Sequence, residues 1–90
     1  MRVVLTEPAL EDIEEIRAYL AIHYPQVAPS VERRFRLAFA RIAEWPESAQ
    51  QATQRPGVRI VPLVRYPYNI FYRIKNRTVE VVHIYHAARR

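Results

Sequence analysis

No cysteine occurs in the ninety residues, and glycine, lysine, methionine and tryptophan occur once each. Without cysteine there is no disulfide framework, no thiolate zinc site and no cysteine nucleophile, and redox chemistry is not expected. A single glycine, Gly57, cannot build a phosphate-cradling loop, and neither serine, Ser30 or Ser48, lies in a glycine-flanked elbow. P-loop and serine hydrolase chemistry are therefore excluded. No apolar run approaches the ~18 to 20 residues of a membrane span, and the first residues lack the apolar stretch of a secretory signal, so no membrane partner and a cytoplasmic location are expected. Histidines at 23, 83 and 86 do not follow a zinc spacing, so neither a metal nor a cofactor is expected.

What is present is a folding composition: 50% hydrophobic and 26% charged residues, with no polar low-complexity tract. One domain over 1–90 is expected, burying only about 60 to 65 per cent of its unfolded surface. Its stability margin should be thin, and a bound partner would widen it. Fourteen basic residues against nine acidic ones give +5 and a pI near 10.1, and Lys75 is the only basic residue that is not arginine. The arginine fork suits bidentate contact with phosphate or carboxylate, which points to nucleic acid or acidic protein segments as partners; solubility is the plainer use of such charge. The charge is also divided. Residues 1–24 hold two arginines against Glu7, Glu11, Asp12, Glu14 and Glu15, whereas twelve of the basic residues fall in 25–90 against four acids. That split favours one basic patch with a specific partner over a uniformly basic coat.

Val3-Val4-Leu5 reads as a short strand, and Thr6-Glu7-Pro8 as the N-cap and first turn of a helix. Ala9, Ile13, Ile16 and Leu20 then form one apolar stripe, with the acids gathered toward the positive end of the helix dipole. The stripe fades at His23-Tyr24-Pro25, and a second helix with Pro29 in its first turn carries Val31, Phe35, Ala38, Phe39, Ile42 and Trp45 at helical spacing, all expected in the core. Pro46 ends it, and 46–57 reads as a polar loop. The period then changes: 58–64, 68–75 and 78–85 are strands rich in valine, isoleucine and aromatics, with Pro62 expected where its missing N–H faces away from a neighbouring strand.

Asn76-Arg77 predicts a two-residue hairpin turn. Counting outward pairs Ile74 with Val79, Arg73 with Glu80, Tyr72 with Val81, Phe71 with Val82 and Ile70 with His83. The fold class is therefore α+β, in the order β-α-α-β-β-β, with a helical hairpin on one face of a small twisted, mainly antiparallel sheet. Ile70, Tyr72, Ile74, Val79 and Val81 are expected to face the helices, with His83 on the same side. Phe71, Arg73, Lys75, Glu80, Val82, Ile84 and His86 are expected on the opposite, half-solvated face, where function is sought.

The opening strand followed by Ala9-Leu10-Glu11-Asp12-Ile13-Glu14-Glu15-Ile16, the Ile42-x-x-Trp45-Pro46 helix exit, the segment Tyr66 to Ile74 and the closing Val81-Val82-His83-Ile84-Tyr85-His86-Ala87-Ala88-Arg89 carry a resemblance. Together they resemble the RelE/ParE superfamily of toxins from bacterial type II toxin–antitoxin modules, closer to the ParE branch. The resemblance spans nearly the whole chain and implies a RelE/ParE-like fold and a cytoplasmic toxin. It also implies a complex with a cognate antitoxin encoded by an adjacent gene.

The superfamily's two branches act differently. The ParE-like branch inhibits DNA gyrase by protein contact; the RelE-like branch cuts mRNA on the ribosome without metal, using lysines and arginines with a C-terminal tyrosine or histidine. A single lysine departs from that nuclease set, so the leading expectation is a ParE-like gyrase inhibitor contacting its target through Arg73, His86, Arg89 and Arg90. The alternative is a ribosome-dependent mRNA endonuclease using Arg59, Arg73 and His86, and a third is a small basic binding module without lethal activity. Arg33, Arg34, Arg36 and Arg41 on the second helix are expected to meet the acidic residues of the antitoxin, although a solvated basic face is the commoner use of such a run. Arg73 has an equally plain role in a cross-strand pair with Glu80.

Overall fold

The computed structural model describes residues 1–88. Its elements are β1 (Arg2–Leu5), α1 (Glu7–His23), α2 (Ala28–Glu44), β2 (Gln50–Gln51), β3 (Arg59–Pro62), β4 (Tyr68–Lys75) and β5 (Thr78–His86). They make one five-stranded sheet in the order β1-β5-β4-β3-β2, antiparallel except where β1 runs parallel to β5. The helical hairpin carries the chain from β1 at one edge of the sheet to β2 at the other, and the three antiparallel strands that follow bring β5 back beside β1.

Thr6 starts α1 as anticipated, its hydroxyl accepting the Ala9 N–H at 3.4 Å. Ala9, Ile13 and Leu20 of α1 and Val31, Phe35 and Ile42 of α2 pack on Tyr68, Ile70, Tyr72, Val79, Val81 and Ile84 of the sheet. The two helices are also clasped outside the core, where the Arg17 guanidinium grips the Glu32 carboxylate through Nε at 3.0 Å and Nη2 at 2.6 Å. Arg17 reaches Glu14 as well, at 3.0 Å. Trp45 departs from the expected core. It caps α2 with φ −129° and ψ 66°, so the chain has left the helical path, and its side chain is 58% exposed.

The segment read as a loop over 46–57 contains the two-residue strand β2, which pairs Gln50 with Ile60 and Gln51 with Arg59. Leu63 donates its N–H to the Tyr68 carbonyl, so the preceding Pro62 faces away from β4, on a side where β2 no longer reaches. Asn76 and Arg77 both take positive φ, 53° and 61°, the primed turn that a tight hairpin requires.

The hairpin register holds from the turn to Tyr72↔Val81 and then changes: Phe71 pairs with His83 and Ile70 with Ile84, leaving Val82 as the extra residue of a bulge. The cause lies on the other edge of β5. β1 ends with Leu5 opposite Val81, and Thr6 takes over the strand's carbonyls. Its N–H reaches Val81 O at 3.0 Å, and its hydroxyl reaches Val81 O at 2.9 Å and Val82 O at 3.3 Å. One inserted residue exchanges the faces of everything beyond it. Ile84, expected outward, is 2% exposed in the core, and His86 follows it to the helical side. His83, expected inward, lies with Phe71 and Tyr85 on the outer face.

Candidate functional site

The residues expected to work together are dispersed. Arg73 stands on the outer face as anticipated, 46% exposed, with its Nε 2.8 Å from Glu80 Oε1. Arg59 pairs across the strands with Tyr72 and so shares its helical side. Its Nη1 donates to the carbonyls of Glu47 at 3.1 Å and Ala49 at 2.7 Å, which ties the 46–49 segment to the sheet. Tyr72 secures the same segment, its hydroxyl donating to Pro46 O at 2.6 Å. His86 packs edge-on to Tyr68, ring centroids 5.5 Å apart, at the opposite end of β4 from Arg73. Arg59, Arg73 and His86 therefore do not converge on one point. Arg89 and Arg90, the remaining expected target contacts, lie outside the described residues.

The helical side holds a long cleft between the hairpin and the end of the sheet. One stretch is lined by Asp12, Glu15, Ile16, Tyr19, Tyr68, Ile84, Tyr85 and His86. The next shares Tyr19, Tyr68 and His86 and adds Leu20, Tyr24, Val27, Val31, Tyr66 and Pro67. Tyr19, Tyr24 and Val27 remain substantially exposed there, as does Ile22 near the helical turn. In sequence these are apolar residues lying off the stripe that faces the core, and that surplus was the available signal for a partner surface.

Asp12 organises the start of this cleft. One carboxylate oxygen, Oδ2, accepts the Ile84 N–H at 2.9 Å, a donor left open where β1 stops, and lies 3.0 Å from His83 Nδ1. The His83 ring stacks on Tyr85 with centroids 4.7 Å apart, and Tyr85 in turn meets Phe71 at 5.5 Å. Sequence reasoning paired His83 with no carboxylate, because Asp12 is 71 residues away along the chain.

Arg33, Arg36 and Arg41 are exposed along α2, and Arg34 is half-buried. Glu32 sits among them with its pKa lowered, first by the hydrogen bonds from Arg17, then by the charges of Arg17 and Arg36. Ser30, Arg33, Arg34 and Leu37 line a notch closed on its other side by Tyr66 and by Arg65, which the sequence did not single out. Among the described residues no group of three histidine or acidic side chains is placed to hold a metal ion, and no helix is long and apolar enough to cross a membrane.

Comparison with known proteins gives this geometry its context. The family model described as the ParE toxin of the type II toxin–antitoxin system parDE matches residues 3–90. The chain belongs to the ParE toxin family. Within the wider RelE/ParE superfamily it is the toxin of a type II toxin–antitoxin system. It is 36% identical over 89 residues to a toxin named RelE2 of Caulobacter vibrioides, covering 98% of this chain and 97% of that protein. It is 37% identical over 90 residues to the putative toxin Y4kP of Sinorhizobium fredii, covering 96% and 88%. Its fold recurs in the chromosomal ParDE system of P. aeruginosa, with a TM-score of 0.80 at 22% identity over 96% of this chain and 95% of that one. It recurs in the isolated E. coli RelE toxin, with a TM-score of 0.61 at 16% identity over 99% and 86%.

Proposed function

We propose that this ParE-family toxin acts in the cytoplasm by binding DNA gyrase, and that a cognate antitoxin encoded beside it neutralises it. The observation carrying the choice of target is the separation of the candidate nuclease residues. Metal-independent RNA cleavage needs a base, an acid and cations around one phosphate. Here Arg59 is committed to the Glu47 and Ala49 carbonyls, Arg73 is on the outer face, and His86 is on the helical side. Lys75 is the only lysine. The bulge at Val82 divides the surface accordingly: Arg73 stays on the outer face as a proposed target contact, while His86 turns to the cleft that we assign to the antitoxin.

Purified protein given to gyrase with supercoiled DNA, and separately to programmed ribosomes, tests the assignment. Inhibited gyrase with intact mRNA is expected; specific mRNA cleavage with untouched gyrase would overturn it. Growth arrest on inducing the gene alone, relieved by its neighbour, is expected as well, and unaffected growth would remove toxicity altogether.

Ribosome-dependent mRNA cleavage is the second reading, and one observation favours it. His83 is oriented by Asp12 through Nδ1, its Nε2 has no hydrogen-bond partner among the described residues, and it stacks with Tyr85 on the outer face. An imidazole held this way has the arrangement of an oriented general base. If RNA is cut, His83→Ala should abolish cutting while His86→Ala leaves it; the reverse would exclude the role.

A further inference from the structure

The cleft is electrically polarised along its length. At one end stand Asp12 and Glu15, in the middle Tyr19, Tyr68 and His86, and beyond Tyr66 the notch of Arg33, Arg34 and Arg65. None of those three arginines has an ion-pair partner among the described residues. The acid nearest them in sequence, Glu32, is occupied by Arg17, and the first turn of α2 carries no acid. Three guanidinium groups around one small hollow repel one another in the isolated chain, and an anion placed among them would relieve the repulsion. Arg65 is also held at φ 76°, a left-handed conformation that costs a β-carbon-bearing residue energy and that clusters at ligand clamps.

We infer that the cleft is a one-directional peptide groove, in which a segment of the antitoxin places carboxylate side chains in the Arg33–Arg34–Arg65 notch, apolar side chains along the tyrosines, and a basic residue against Asp12 and Glu15. This rests on the antitoxin reading above and adds the chemistry and direction of the bound segment. A nucleic acid fits poorly, since its uniform negative charge would meet the arginines at one end and two carboxylates at the other. A peptide can carry both signs with apolar residues between them, and Tyr66, lining both the cleft and the notch, makes the surface continuous.

The full-length chain titrated by calorimetry with the protein encoded by the neighbouring gene tests this, with a single-stranded oligouridylate as the competing probe. Arg33→Glu with Arg34→Glu should weaken antitoxin binding on the order of tenfold or more, Arg65→Glu severalfold, and Arg65→Lys less than Arg65→Glu because charge survives while the fork is lost. Glu15→Lys should also weaken it, and every loss should shrink at high salt. Unchanged melting temperatures for these variants, Arg34 being half-buried and the other sites exposed, would show that the fold persists. Binding insensitive to all four variants would overturn the groove while leaving the antitoxin reading standing. No binding by the neighbour would end both. Tighter oligouridylate binding by Glu15→Lys, together with arginine variants that lose the oligouridylate and keep the antitoxin, would reassign the notch to nucleic acid.

Discussion

Single residues in this fold often serve two structures at once, which makes their substitution informative. Tyr72 fills the core with no exposed surface, yet its hydroxyl reaches Pro46 O at 2.6 Å. Burial raises its pKa, against smaller opposing effects from the Arg59 charge and the backbone near Ala49. Tyr72→Phe keeps the ring and strands the carbonyl, so it should cost about 1 kcal/mol, a fall of roughly 4 to 8 °C in melting temperature for a domain of this size. A calorimetric scan checks it, and an unchanged midpoint would mean water serves Pro46 equally well. Arg73 is the opposite case. Its ion pair with Glu80 is half in solvent and worth about 0.2 to 1 kcal/mol, so Arg73→Gln, which removes the pair without setting two carboxylates opposite each other, should melt close to the parent. With gyrase as the proposed target, the same variant should weaken gyrase inhibition while still binding antitoxin, because the proposed groove lies on the other face of the sheet. Loss of both activities would indicate one shared surface.

At the scale of elements, local signals did most of the specifying. The Thr6 cap, both helical stripes, the β4 span and the Asn76-Arg77 turn are written in short stretches of sequence, and the structure follows them. The bulge at Val82 is not, because the groups that hold it, Thr6 and Asp12, lie more than 70 residues away along the chain. β2 escaped notice for a related reason: two glutamines have no strand preference of their own and are extended only because β3 pairs with them. The candidate site was legible where it depended on charge and apolar surplus. It was illegible where it depended on which face the last strand presents, so His86 and Arg65 had to be located in three dimensions. The hairpin turn offers a stabilising change. Arg77 holds φ 61° against its β-carbon, and Arg77→Gly should raise stability by up to about 1 kcal/mol, read from urea unfolding. A loss would show that the Arg77 side chain contributes more than its backbone strain costs.

The clasp between α1 and α2 sets a pH dependence. Because Arg17 lowers the pKa of Glu32, the folded state holds that carboxylate ionised more firmly than the unfolded chain does. Its contribution is complete above the ordinary glutamate value of 4.5 and is lost as pH falls from there through the lowered folded value. Glu32→Gln should therefore narrow the stability difference between pH 6 and pH 3 in urea melts, and an identical pH profile would show the clasp to be too solvated to matter.

For the molecule as a whole, size and charge act in the same direction. A ninety-residue chain at +5 has a small core and a net excess of positive charge, both of which should narrow the stability margin of the free toxin. Its unsatisfied surfaces, the tyrosine cleft and the arginine notch, lie side by side, so a single amphipathic segment can cover apolar area and neutralise charge together. Anything binding only the folded state adds stability by mass action, about 2.7 kcal/mol when its free concentration is a hundredfold above Kd. For this size that corresponds to roughly 10 to 20 °C in melting temperature. The shift should grow logarithmically with antitoxin concentration and shrink for the variant in which Arg33 and Arg34 are both glutamate. A melting temperature that stays flat while calorimetry records tight binding would mean the antitoxin also engages the unfolded chain, and the groove would then not require the fold that builds it.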